Sequence, residues 1–164
     1  MSREGSEAPV DPDVDLRVPA QRTEALAGRL PPVLAAIALG GAAGALARYA
    51  ISRAWPADGG FPFATLGINT LGSALIGVLM VLVAEGGRSA HPLARPFAGV
   101  GLLGGFTTFS AYALDFRDLV ERGELWLAPL YAGGTVVLCA VAVWAAASST
   151  RAVTARARAA GDPR

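Results

Sequence analysis

The stretch that most limits what this chain can become is Gly101-Leu102-Leu103-Gly104-Gly105-Phe106-Thr107-Thr108-Phe109-Ser110-Ala111-Tyr112-Ala113-Leu114-Asp115. It is apolar enough for a bilayer, yet poorly suited to an uninterrupted membrane helix. Each glycine weakens a helix by about 1 kcal/mol relative to alanine. Two threonines, a serine and three aromatic residues follow the glycine pair at once. Backbone that leaves helical geometry inside a membrane has to be buried in protein or line a cavity, because lipid satisfies no carbonyl. The stretch therefore predicts a broken helix that offers polar groups to something small.

The surrounding sequence supports a membrane setting. Charged residues make up 16% of the 164-residue chain and hydrophobic ones 53%, whereas a soluble domain carries nearer to about 25% charge. Four apolar segments, at about 32–51, 63–84, 96–114 and 125–147, each approach the roughly 20 residues that cross a bilayer. They predict an all-α integral membrane protein with four transmembrane helices and a break in the third, in a membrane domain of residues 31–148. Residues 1–30 are rich in acids and proline and lack an apolar period, which predicts a disordered cytoplasmic tail. Residues 149–164 read as a charged, frayed cytoplasmic tail.

Four spans put both termini on one side. Arg17, Arg22, Arg29, Arg88, Arg95, Arg151, Arg156 and Arg158 fall on that side, against Arg48, Arg53, Arg117 and Arg122 on the other. The positive-inside rule then places both termini in the cytoplasm. Arg48 either snorkels to the interface or sits inside the bundle. With a net charge of +1, no nucleic-acid partner is indicated. Cys139 is the only cysteine and His91 the only histidine, so neither a disulfide framework nor a thiol–imidazole metal site is available. The chain holds no lysine and hence no phosphate-binding loop of the Gly-Lys-Ser/Thr type.

Polar residues inside the spans fall on stripes. Gly40 and Gly44 are spaced for a close helix–helix approach. Thr65, Asn69 and Ser73 stack on one face of the second span, either for hydrogen bonding between helices or to line a path. Tyr131, Thr135 and Cys139 form a weaker stripe on the fourth. No span has Asp, Glu or Lys at its centre. A proton-coupled small-molecule or multidrug exporter of a four-helix type, the alternative reading, normally needs a buried carboxylate. Neutral N–H and O–H donors and the positive edges of aromatic rings suit a small anion on a passive path. Carbonyls freed at Gly104-Gly105 suit a cation.

Three runs carry a family resemblance. Gly104-Gly105-Phe106-Thr107-Thr108-Phe109-Ser110, Gly67-Ile68-Asn69-Thr70-Leu71-Gly72-Ser73 and Gly40-Gly41-Ala42-Ala43-Gly44-Ala45-Leu46-Ala47-Arg48-Tyr49 resemble the signatures of the bacterial fluoride channels, the Fluc or CrcB family. The resemblance covers about residues 32–147. It implies an antiparallel, dual-topology dimer with two fluoride pores in the plasma membrane, a non-enzymatic channel exporting fluoride by passive electrodiffusion. It implies a structural sodium ion (Na+) at the dimer centre, held by the backbone carbonyls of Gly104 and Thr107. Asn69, Phe109, Ser110, Tyr112 and Thr135 become the anion-pore residues.

The sequence departs from that pattern at four places. Tyr112 stands where the family has a second phenylalanine, Ala111 where it has threonine, Asp115 where it has glutamate, and Cys139 in place of a hydroxyl. Lost donors and a two-to-one arginine bias together raise the expectation that the second, oppositely oriented subunit is a paired homologue rather than a second copy.

Overall fold

A computed structural model of the chain describes residues 30–56, 59–85 and 92–160. The N-terminal tail expected from the sequence lies outside these residues. The described residues contain helices and no strand. Helix α1 is Leu30–Ala54 and α2 is Phe63–Met80, prolonged by a π-helical turn at Val81–Glu85. The third span begins as a π-helix, Arg95–Leu103, followed by a single helical turn, Gly104–Phe106. It continues as α3, Phe109–Glu121, and the chain returns along α4, Leu127–Ala160. Four helical stretches are long and apolar enough to cross a membrane: Pro32–Ala54, Phe63–Val83, Arg95–Glu121 and Leu127–Ala159.

Two helices run past their expected ends. Asp115 to Glu124, read from the sequence as a connection, is helical through Glu121. An Arg117–Glu121 ion pair at 2.7 Å supports this exposed turn, as oppositely charged side chains four residues apart do. The helix then closes in a Schellman motif. Gly123 takes the left-handed value φ 77°, Glu124 N–H donates to the Leu119 carbonyl and Gly123 N–H to that of Val120, both at 2.9 Å. That arrangement satisfies carbonyls a helix end leaves open. At the other end, α4 carries on to Ala160 through residues expected to fray, since alanine and arginine are strong helix formers.

The outer surface is apolar. Leu34, Leu39 and Leu46 of α1 and Val136, Val137 and Val141 of α4 are all exposed, as expected where lipid is the solvent. A small core closes one end of the bundle, where Leu119, Ala128 and Tyr131 are buried among Phe61, Leu66, Tyr112 and Leu127.

Packing between spans depends on glycine. The first span packs mainly on the π-helical part of the third, and α2 packs along α4. Where α1 meets the third span the backbones touch. A Cβ on Gly101 would stand 2.7 Å from the Ile37 carbonyl oxygen, one on Gly44 would meet the Leu102 carbonyl, and one on Gly105 the Gly41 carbonyl. Small residues permit such contact, and it is a main source of helix association where no hydrophobic effect operates between spans.

Candidate functional site

The site is set by where helical geometry lapses in the third span. Gly104 remains helical, at φ −65° and ψ −36°, and the turn it opens runs to Phe106. Thr107 and Thr108 are extended, at φ −74°, ψ 157° and φ −149°, ψ 124°. The glycine pair is thus not where the backbone departs from the helix; the two threonines after it are. Glycine lowers the stability of the preceding turn, but polar partners decide the position.

Asn69 is the principal partner. Its Nδ2 donates to the Thr108 carbonyl at 2.9 Å, and Thr108 N–H donates to Asn69 Oδ1 at 2.9 Å. The side-chain amide therefore pairs with both the N–H and the C=O of one residue, as a neighbouring strand would. Thr108 Oγ1 in turn accepts from Ala111 N–H at 3.1 Å and caps α3. Replacing such a cap by alanine costs about 1 kcal/mol.

These bonds redistribute the carbonyls. In a continuous α-helix, Thr108 N–H would bond the Gly104 carbonyl four residues back; here Asn69 takes that donor. The Gly105 carbonyl, whose helical donor would be Phe109, accepts from Arg48 Nε at 3.1 Å. Leu103 keeps its helical bond from Thr107 N–H and also accepts from Thr107 Oγ1, each at 2.9 Å. Arg48 is thus half-buried within the bundle, turned towards the third span.

A groove of about 670 Å³ opens beside this region. Asn69, Gly104, Thr107, Phe109, Tyr112 and Thr135 line it, with Ser73 and Cys139 from the two polar stripes. The structure thus gathers six of the seven residues expected at the anion path or the cation site. Ser110 is the exception. It is exposed on the first turn of α3, its Oγ 3.3 Å from Thr108 Oγ1.

Proximity is not the same as an available donor. Thr135 Oγ1 donates to the Tyr131 carbonyl at 2.7 Å, so the groove meets its lone pairs. The Tyr112 hydroxyl donates to the Ala132 carbonyl at 3.2 Å and leaves mainly the ring on the groove. Asn69 spends one of its two N–H groups on Thr108 and retains the other. Phe109 is 80% exposed, its ring tilted against Tyr112 at a centroid distance of 5.6 Å. The groove therefore offers one amide N–H, the Ser73 hydroxyl and aromatic rings, with no formal charge among its described lining residues.

Two participants were not legible as such. Tyr131 is fully buried, and its hydroxyl donates to Asp115 Oδ2 at 3.2 Å. It packs edge-on to Phe61, with centroids 5.6 Å apart, and 5.4 Å from Tyr112. Thr108 pins the start of α3. The four-residue spacing of Tyr131 and Thr135 signalled the first; nothing local signalled the second, because Ala111 stands where a capping box would have Glu or Gln.

The chain is similar to known proteins along most of its length. Residues 35–147 match the family model described as "CrcB-like protein, Camphor Resistance (CrcB)". The chain is 52% identical over 123 residues to a Streptomyces coelicolor protein named "Fluoride-specific ion channel FluC 1", covering 74% of this chain and 79% of the relative. It is 50% identical over 129 residues to "Fluoride-specific ion channel FluC 2" of Nocardia farcinica, covering 78% and 91%. A Streptomyces avermitilis protein, also named "Fluoride-specific ion channel FluC 2", is 46% identical over 127 residues, covering 77% and 79%. The matched region takes in most of each of the four spans and every described residue of the groove, and the chain belongs to the CrcB family of bacterial fluoride channels.

Proposed function

We propose that this chain is a subunit of a fluoride-selective channel that lowers cytoplasmic fluoride by passive export across the bacterial plasma membrane. The observation that carries the reading is the uncharged groove built around Asn69, Thr107 and Phe109, in a chain whose relatives are named as fluoride-specific channels. A small anion entering it exchanges water for an amide N–H and ring edges. Weak, neutral contacts of this kind let an ion enter and also leave, which conduction requires. No step calls for a proton-binding carboxylate, and the residues lining the groove include none.

The reading extends to a dimer of oppositely oriented subunits. Its support is the 80% exposure of Phe109 on the open side of the groove: a second subunit would close the path over that ring. The partner is a second copy of this chain or a paired homologue, and both termini face the cytoplasm. A structural Na+ belongs to the same proposal. Carbonyl oxygens suit a hard cation. Diversion of Thr108 N–H to Asn69 relieves the Gly104 carbonyl of its helical donor, and extended geometry at Thr107 turns its carbonyl out of the ladder. Gly104 and Thr107 would hold the ion, which would fix the two third spans against each other.

The test is fluoride-electrode efflux from liposomes holding the purified chain, with chloride as the control anion. Fluoride efflux without chloride efflux or a proton gradient is expected. Flux that requires a proton gradient would move the assignment to an exporter. Phe109→Ile should reduce fluoride efflux by at least ~10-fold while the protein still elutes as the wild type does; undiminished flux would remove the ring from the path.

A further inference from the structure

The groove does not end at the threonines. A second cavity of about 220 Å³ lies against it, and the two share Ile76 and Gly99. Its walls are Leu79, Met80, Val83 and Val100, and its last lining residue is Arg95. The path so formed follows α2 and its π-helical extension away from Asn69, and reaches the end of the third span where Arg95 begins the π-helix. From Ser73 to Met80 it covers about 10 Å of helix axis at ~1.5 Å per residue. Along that length the lining is aliphatic. Among the described residues lining either cavity, Arg95 is the only charged one.

This arrangement poses a problem for an anion. Between the last polar groups of the groove and Arg95, the described residues of this chain that line the path offer no donor in place of the ion's hydration shell. Apolar constrictions of that kind resist ions. A fixed positive charge at the mouth acts against this barrier in two ways. It raises the local anion concentration, and its field extends along a low-dielectric passage where solvent screens it little. Arg95 is exposed, so it draws ions without holding them as a buried cation would.

We infer that Arg95 is an electrostatic collector at the mouth of the fluoride path, acting on ion entry through the aliphatic section. Neither the polar stripes nor the groove at the threonines includes this residue. The inference rests on the channel reading, and its experiment separates the two. Full-length wild type, Arg95→Gln, Arg95→Lys and Arg95→Glu are placed in liposomes, and fluoride efflux is measured at low and at high ionic strength with sodium constant.

Arg95→Gln should slow efflux by about 3- to 10-fold at low ionic strength, at or just below the roughly 10-fold lower bound of electrostatic steering because one exposed charge is removed. Arg95→Glu should slow it further, and Arg95→Lys should stay within about twofold of wild type. The differences should shrink at high salt, where the Debye length falls to about 3 Å. Wild-type rates for Arg95→Gln at low salt would overturn the collector role, as would a loss that salt does not relieve or that Arg95→Lys does not repair. Absence of fluoride flux from the wild type, both alone and co-reconstituted with an oppositely oriented relative, would overturn the channel reading and this inference with it.

Discussion

Asn69 shows how much one side chain decides. Half-buried in an apolar span, it would cost a few kcal/mol if unpaired, yet two bonds to Thr108 pair its oxygen and one of its N–H groups. The same bonds hold Thr108 extended and take its N–H from the Gly104 carbonyl. Asn69→Ala therefore removes a groove donor and the support of the non-helical pair together. We expect a stability loss of about 2 kcal/mol and a fluoride efflux at least ~10-fold slower, read by thermal unfolding in detergent and by the liposome assay. Asn69→Asp keeps the acceptor for Thr108 N–H but loses the donor to its carbonyl. Its loss of stability should be smaller and its loss of flux comparable. From sequence alone Asn69 was conspicuous as a polar residue in an apolar run. Its partner was not, because Thr108 lies 39 residues away and nothing local encodes that pairing.

At the scale of elements, the third span joins a π-helix and two α-helical pieces in one crossing. Its first part lies close to α1 because Gly101 and Gly105 face a backbone that carries Gly40, Gly41 and Gly44. The Gly40-x-x-x-Gly44 spacing was readable as a contact surface, but which helix it meets was not. Gly105→Leu should drive the two spans apart. The expected outcome is loss of a monodisperse peak on size exclusion, whereas Gly133→Leu, at a position where a Cβ meets nothing within 4 Å, should elute normally. The extension of α3 to Glu121 was missed because Asp115, Arg117, Asp118 and Glu121 read as a charged connection. In a membrane protein the same residues form the water-exposed end of a helix, where charge is compatible with helical geometry.

For the whole molecule, the groove is open on one side, and the proposed dimer closes it. If a Na+ fixes that dimer, replacing sodium on both sides of the liposome by a large organic cation should reduce fluoride efflux severalfold and restore it on readdition. A subunit that needs a paired homologue predicts weak efflux from the chain alone and stronger efflux on co-reconstitution with an oppositely oriented relative. Robust flux from the chain alone would establish that two copies suffice. Tyr112 bears on this point, since its hydroxyl is tied to the Ala132 carbonyl and leaves a ring on the groove, as phenylalanine would. Replacement by phenylalanine should therefore keep efflux within about twofold, at a stability change of about 1 kcal/mol.

The sequence by itself determined the membrane class, the number of spans and most of the side chains that meet in the groove. Hydropathy and helical spacing are local properties of a chain, and each polar stripe lies on a single helix. Only the tertiary structure decided where the third span leaves helical geometry and which donors stay free. Those outcomes depend on competition for each hydrogen. Asn69 takes the Thr108 N–H, Arg48 the Gly105 carbonyl, Tyr131 the Thr135 hydroxyl and Ala132 that of Tyr112. Three of these four pairings join different spans, and a hydrogen-bonding group reveals its choice only once those spans are packed.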